Sequence, residues 1–393
     1  MTVTDSASDP VQVRVVASDE TFASLREAWE RLQADAAVTS VFETFDWQYL
    51  WWRTYGHDRA LKLFVAESGG ALVGVLPLYV ETVSILAPVR LLRPIGIGGD
   101  TSPDDLGPVL AKGREAEVAR ALADAVLALE GWDALLLGDM LPDNALLAAM
   151  RERAEAAGLP LRQGRAEQIA YIGLPACYDA WLQSLHRDRR YRIRNIRKKL
   201  SAEQPARFFV WSDRATLDRG IDTLVRLHRK RWAESGQSRS FASTKYIDFH
   251  RAVMTACFET DRLRLYGLEL GGSIIAMFYF YKFRDRVYLM QSGFDPDYGR
   301  LKPGQVLLGH IVEHAIGEGH KVLDFLRGDH RYKNELANGE RHTAFLEVFR
   351  RTPGAYLYRT RRIYLPAAKA RYLQLRQRLR PSKSAAPPTE TAE

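Results

Sequence analysis

Hydrophobic and polar positions follow nearly the same order in two stretches 202 residues apart: Leu61–Tyr79 reads LKLFVAESGGALVGVLPLY and Leu263–Tyr281 reads LRLYGLELGGSIIAMFYFY. Such an echo marks an internal duplication. In each copy two apolar, strand-like runs flank Gly-Gly, and two adjacent residues able to take φ > 0 suit a tight hairpin turn. In the second copy the pattern runs on past Arg284-Asp285 to Phe294, which predicts a three-stranded antiparallel meander. Apolar residues then return at helical spacing from Val306 to Ile316, Gly317 and Gly319 close that helix, and Lys321–Leu326 reads as a buried strand. The first copy repeats the order with a strand near Val89–Ile95, a helix over Glu115–Leu129 and a strand over Ala134–Leu137. Helical segments precede each hairpin, Phe22–Ala36 and Trp47–Tyr55 in one half, Asp222–Glu234 and Tyr246–Phe258 in the other. The pattern therefore predicts an α/β (α+β) protein that uses the unit ααβββαβ twice, with its function between the halves.

Length agrees with this division, since 393 residues fit two or three domains of ~150 residues. The expected layout is a disordered start at 1–10, a first domain over 11–175, a basic linker helix over 176–205, a second domain over 206–352, a basic C-terminal helix over 353–380 and a disordered tail over 381–393. Cys177 and Cys257 are too few for a disulfide framework or a thiolate metal site. The polar N-terminus lacks the apolar core of a leader, and no run approaches the ~20 apolar residues that span a bilayer, so a cytoplasmic, at most membrane-peripheral, protein is expected.

Charge sharpens the picture because it is unevenly placed. The net +8 resides in two segments, Arg187–Lys199 with 8 basic residues and Arg350–Glu393 with 11, which leaves a mildly acidic body. In the first, Trp181, Leu182, Leu185, Ile193, Ile196 and Leu200 recur at helical spacing, so it reads as an amphipathic basic helix. Solvated helix faces account for both segments; so does contact with phosphates of a cofactor, a charged tRNA or an anionic membrane.

Three constellations carry candidate chemistry. Gly293–Gln305, where the meander meets its helix, combines Arg300, Lys302 and Gly304 with a helix N-terminus, whose unpaired N–H groups and dipole favour an anion such as pyrophosphate. A plain β-to-α loop has the same composition. Beyond the buried strand, Arg327–Glu335 crowds Asp329, His330, Tyr332 and Lys333 into one loop, where α/β proteins place ligands. A solvated loop with Asp329 as a cap is the alternative. In the first half, Gly96–Leu106 takes the place of the cationic loop but carries carboxylates, of which Asp104 or Asp105 is able to orient or deprotonate an attacking amine or hydroxyl, or simply to form an Asx-type turn. His310 and His314 share a helix face with Glu318 but lack a third ligand nearby in sequence, so no metal site is expected. The tryptophans suit the core, with Trp47 and Trp232 able to wall a substrate groove.

The meander, the anion loop feeding a helix and the closing DFLRGDHRYK segment resemble the GCN5-related N-acetyltransferase (GNAT) fold. More closely, Val11–Glu347 resembles the CelD/BcsL-type acetyltransferases of exopolysaccharide and cellulose gene clusters, themselves similar to the tandem-GNAT FemABX peptidoglycan aminoacyltransferases. The matching segments are Trp47–Trp52, Leu76-Pro77-Leu78, Leu227–Trp232, Gly304–Leu308 and Asp324–Gly328 with Tyr332-Lys333. The phosphate motif departs from the family's Arg/Gln-x-x-Gly-x-Gly/Ala and reads Arg300-x-x-x-Gly304-Gln305. The resemblance implies a tandem duplicated GNAT fold, each half a mostly antiparallel sheet flanked by helices. It implies acyl transfer from acetyl-CoA or another acyl-CoA, without a metal, to an amino or hydroxyl group of a saccharide or envelope precursor.

On that resemblance the strand around Met290–Gly293, Gln291 and Gly293 included, offers backbone N–H to the thioester carbonyl, and Arg300, Lys302, Gly304 and Gln305 hold the pyrophosphate. Asp329 or His330 takes the acceptor proton, Tyr332 protonates the leaving thiolate and Lys333 steadies the reaction centre. Asp105 and Asp104 position the acceptor, with Trp47, Arg231, Trp232 and Arg327 as its further contacts. Two alternatives stand beside this: a Fem-like enzyme taking its donor from charged tRNA, and a non-catalytic degenerate GNAT that partners a polysaccharide synthase or anionic membrane.

Overall fold

The computed structural model describes residues 9–203, 205–233, 240–328, 331–366 and 371, with the side chains of 199, 201–203, 331, 332 and 334 excepted. Its strands are β1 (Gln12–Val16), β2 (Ala60–Ser68), β3 (Ala71–Ser84), β4 (Pro88–Pro94), β5 (Val109–Leu110), β6 (Ala134–Met140) and β7 (Leu161–Gly173) from the first half. The second half supplies β8 (Ala206–Val210), β9 (Leu263–Leu270), β10 (Ser273–Phe283), β11 (Arg286–Phe294), β12 (Val322–Asp324) and β13 (Gly339–Phe349). All join one sheet in the order β1-β2-β3-β4-β6-β13-β7-β12-β11-β10-β9-β8, with β5 added beside β3.

The duplication is visible down to single residues. Both hairpin turns use glycines in the left-handed region, Gly69 and Gly70 at φ 56° and 77°, Gly271 and Gly272 at 56° and 81°, as their sequence predicts. Each hairpin also carries a bulge at the same place, because the register skips Val73 in one and Ile275 in the other. Alternation sends Leu61, Leu63 and Val65, or Met277, Tyr279 and Tyr281, to one face, and Phe64 and Ala66, or Phe278 and Phe280, to the other. The first face is covered by helices Arg26–Asp35, Phe45–Tyr55, Leu217–Trp232 and Thr244–Glu259, whose buried residues form one core continuous across both halves. Helices Glu115–Ala128, Ala145–Ala156, Arg187–Glu203 and Pro303–Gly317 cover the other.

Several features were not expected, strands β1, β5, β7, β8 and β13 and helix Ala145–Ala156 among them. The final strands are exchanged: β13 lies between β6 and β7 of the first half, and β7 pairs in turn with β12 of the second. The boundary at 176–205 therefore separates the halves in sequence while their sheets interlock in space. The linker is also not one helix. It breaks at Leu185-His186 into Tyr178–Ser184 and Arg187–Glu203. Its apolar side packs on helix Pro303–Gly317, and Arg197 bonds Glu313 at 2.8 Å. Of the expected C-terminal helix, Pro353–Arg359 and a wider turn over Thr360–Tyr364 are formed, while 367–370 and 372–380 lie outside the described residues.

The exchanged strand brings a buried cation to the seam. Arg341 on β13 bonds Asp324 of β12 at 2.9 Å and Asp105 of the first half at 2.5 Å, and Arg286 adds a third contact to Asp324 at 3.1 Å. Arg284 in the β10–β11 turn also ties the halves together, donating to the carbonyls of Gln33 (2.9 Å) and Ala36 (2.6 Å) at the end of helix Arg26–Asp35. Removing one member of a buried ion cluster strands the others. Arg341→Ala should therefore cost about 3–5 kcal/mol in urea unfolding, whereas Arg14→Ala, which breaks only the exposed pair with Glu67, should cost at most about 1 kcal/mol.

Candidate functional site

Strands β11 and β12 run parallel for three residues, Arg286–Tyr288 beside Val322–Asp324, and then diverge. The wedge they leave opens into a cavity of about 450 Å³, within the size range of small-ligand sites. Its walls come from both halves: Phe42, Trp47 and the Asp100–Asp104 loop on one side, His228, Arg231, Trp232, Tyr246 and His250 on the other, with Leu289–Ser292 of β11 as the floor and Leu326–Gly328 and Lys333 at the end.

β11 itself is irregular where it floors the cavity. Tyr279 pairs with Gln291 but Phe280 with Leu289, so Met290 is an extra residue, a bulge whose backbone leaves the ladder. The matching first-half pair β3–β4 runs through without interruption. There β4 and β6 also diverge after two pairs, but the gap is filled by the chain from Ile95 to Leu106, both ends of which are buried. Gly293 is set by close approach, because a Cβ there would stand 2.3 Å from the backbone nitrogen of His228.

On the far side of β11 a second groove, about 250 Å³, is lined by Arg231, Phe278, Phe294, Gly299, Lys302, Pro303, Gly304 and Gln305. Lys302 adopts a left-handed conformation (φ 49°) that turns the chain into helix Pro303–Gly317, so Gly304 stands in the first helical turn. The Gln305 amide is already bonded to the Lys302 carbonyl at 2.9 Å, which removes it from the donors expected there. Arg231 lines both the cavity and the groove, bonding Ser292 Oγ at 2.8 Å with its guanidinium 4.6 Å from the Trp232 ring and 5.0 Å from that of Phe294.

The cavity thus collects Trp47, Asp104, Arg231, Trp232, Gln291, Arg327 and Lys333 from the residues singled out in the sequence. Others are placed differently. Arg300 is exposed and outside the groove lining. Asp105 does not line the cavity; its carboxylate faces Arg341, and burial lifts it to about 7 against that pairing. Asp104 lines the cavity but is held by Arg327, accepting its backbone N–H at 2.8 Å and its Nε at 2.9 Å, while Arg327 also pairs with Asp139 at 2.7 Å. Asp104 thereby fixes the Leu326–Gly328 turn while Asp105 holds Arg341, and each carboxylate is engaged by an arginine across the seam. Asp329, His330 and the side chain of Tyr332 lie outside the described residues. Lys333 Nζ donates to the carbonyls of Phe325 (2.8 Å) and Arg327 (2.9 Å), and burial lowers it to about 8.

The residue that sequence reading missed is His250. It falls on the buried face of its helix with Tyr246, Phe249, Val253 and Cys257, and a histidine on that face was the available signal. Its ring lies 4.2 Å from that of Tyr246 and 5.9 Å from that of Trp47. Among the described residues His250 Nδ1 and Trp47 Nε1 are both buried without a hydrogen-bond partner, a state that costs about 1–3 kcal/mol for each group unless a ligand or water satisfies it. Gln291 supports the same wall, donating to Tyr246 Oη at 3.0 Å and Ser240 Oγ at 3.1 Å. Burial holds His250 at about 3, and burial with the nearby Arg231 and Arg229 holds His228 at about 4, so both rings are neutral at neutral pH.

Residues 187–334, from helix Arg187–Glu203 to just past β12, the bulged strand included, match the family described as an acetyltransferase (GNAT) domain. No curated protein matches the chain. Among solved structures, that of FemX superposes with a TM-score of 0.61 at 12% identity, over 88% of this chain and 99% of its own. The C-terminal DUF2156 domain of a putative lysylphosphatidylglycerol synthetase from Agrobacterium fabrum gives 0.51 at 12% identity, over 85% and 94%. L-PGS from Bacillus licheniformis gives 0.51 at 10% identity, over 86% and 96%. Likeness at such identities establishes the fold, a duplicated GNAT fold. Among the described residues no helix is long and apolar enough to cross a membrane.

A pH dependence follows from His250. Its folded value lies below that of a free imidazole, so an unfolded chain takes up a proton below about pH 6.5 that the folded chain refuses. Stability is full above that point and falls as pH drops towards about 3. Replacing His250 with Gln should reduce the slope of unfolding free energy between pH 6 and 4 by up to about 1.4 kcal/mol per pH unit, measured by urea titration at each pH.

Proposed function

We propose that the protein is an acyltransferase whose donor lies in the Lys302–Gln305 groove and whose acceptor enters the cavity between the halves. The observation that carries this reading is the bulge at Met290: it stands on the strand that separates groove from cavity, with Arg231 reaching into both. The groove's residues fit an acyl-CoA, since Lys302, Arg231 and the Gly304 end of the helix suit phosphate and Phe278, Phe294 and Pro303 suit its apolar arm. When bound, such a donor supplies an activated thioester carbonyl.

The chain's own groups have distinct tasks in that reaction. Backbone N–H freed at the bulge stabilises negative charge on the carbonyl oxygen as the nucleophile adds. Arg231 holds the donor across the strand, and the Lys333 cation, anchored by two carbonyls, sets the turn that closes the cavity. Trp47 and His250 contact the acceptor through the polar atoms that lack partners. Asp329 or His330, next in sequence to the cavity-lining Gly328, takes the proton of the attacking amine or hydroxyl, and Tyr332 returns one to the thiolate, as the resemblance implies. The acyl group is acetyl and the acceptor a saccharide or envelope precursor on the same ground.

An aminoacyl ester carried on tRNA is the second reading. One observation favours it: helix Arg187–Glu203 lies beside the donor groove, with Arg189, Arg192 and Gln305 lining one small cleft. The helix exposes Arg187, Arg192, Arg194 and Lys198, a surface suited to a nucleic-acid backbone.

Calorimetry separates them. The first reading expects acetyl-CoA to bind, with Arg231→Ala weakening it about tenfold to a hundredfold by loss of charge-assisted contacts and Arg231→Lys recovering part of the loss. The second expects no acetyl-CoA binding and a strongly salt-dependent affinity for aminoacyl-tRNA. Binding of neither overturns both.

A further inference from the structure

The hairpin joining β3 to β4 ends in Ile85-Leu86-Ala87-Pro88, and Leu86 is 89% exposed at φ 89°. A bulky apolar residue held in water in a left-handed conformation is doubly unfavourable. Beside this tip, helix Pro353–Arg359 and the turn after it seal a small core on β4, with Ala355 and Tyr358 against Val89 and Leu91 and with Ile85, Leu357 and Ile363 at its margin. The outward side of the same segment shows Tyr356 at 70%, Tyr364 at 47% and Leu365 at 56% exposure. Of the seven large hydrophobic side chains exposed among the described residues, four therefore gather at this end.

Charge along this segment of chain has one sign. From Arg350 to Pro366 the chain carries five arginines and no acid, with Arg351, Arg361 and Arg362 exposed. The sequence that follows adds Lys369, Arg371, Arg376, Arg378 and Arg380, again without an acid. Exposed leucine and tyrosine among dense arginine is the composition of a surface that sits at a lipid interface.

We propose that this end of the molecule, the Leu86 tip together with the Tyr356–Leu365 face and its arginines, docks on an anionic phospholipid bilayer. A second copy of the chain is the poorer occupant, because it would bring the same arginines against themselves. An anionic headgroup layer satisfies both properties at once: each arginine near it strengthens binding roughly fivefold, and Leu86 and Leu365 leave water for the acyl boundary. The proposal is independent of the transfer chemistry, since none of these residues lines the cavity or the groove.

Co-sedimentation of the full chain with vesicles tests it. Vesicles of mixed phosphatidylglycerol and phosphatidylcholine should carry the protein down at low salt, pure phosphatidylcholine should not, and added salt should release it. Leu86→Glu and Leu365→Glu should each weaken binding by about tenfold, and Arg361→Ala with Arg362→Ala by a similar factor or more. Melting temperatures of these variants should stay near wild type because the side chains are exposed. The proposal is overturned if anionic vesicles leave the protein in solution, or if Leu86→Glu and the arginine pair change nothing. It is equally overturned if light scattering shows a dimer that Leu86→Glu dissociates while no vesicle is bound.

Discussion

Strand β13 enters the sheet between β6 and β7, and the rest of the molecule is arranged around that crossing. A strand lent across the duplication must be fixed in register, because a slip by one residue would turn its buried face to solvent. Nine residue pairs with β7 fix it, and Arg341 adds an ionic lock by bonding Asp324 and Asp105 at once. Charges buried this deeply are stable only as a complete set. The lock therefore couples the order of the first-half acidic loop to the order of β12, and with it the Leu326–Gly328 turn that ends the cavity. Neither half retains a complete sheet without the other, and the cavity takes its walls from both.

From that frame the two copies have taken different parts. Their hairpins still agree in turn conformation and in the bulges at Val73 and Ile275. Past the hairpins they part: β11 has its own bulge at Met290 and opens onto a cavity, whereas β4 pairs without interruption and its wedge is packed by Ile95–Leu106. The acids of that filled wedge do not face an acceptor. They reach across to Arg327 and Arg341, so the first half clamps a cavity whose bulged strand belongs to the second.

What could be read from the sequence was what depends on local chemistry. Gly-Gly between apolar runs specifies its hairpin, helical spacing located most of the covering helices though not Ala145–Ala156, and Lys302-Pro303-Gly304 marked a helix start beside cations. What could not be read depends on the closed fold. Edge strands β1 and β8 are short and bury only Val16 fully, so they carry little alternation. The exchange of β7 and β13 leaves no trace in either strand's pattern, since each needs only an antiparallel partner and not a particular one. Asp104 and Asp105 read as acceptor groups because Arg327 and Arg341, more than 220 residues later, become neighbours only when the sheet closes. The bulge at Met290 is a matter of register, and no residue type signals it.

The central claim is that one composite site uses the second copy for the donor and the first for enclosure. Hydrogen–deuterium exchange of the full chain with and without acetyl-CoA tests it most directly. Protection should appear in β11 around Leu289–Phe294 and at the start of helix Pro303–Gly317, with β4 and its following loop unchanged except at the Asp100–Asp104 wall. Protection centred on β4 and Ile95–Leu106, or equal in both copies, would contradict the division of labour between them.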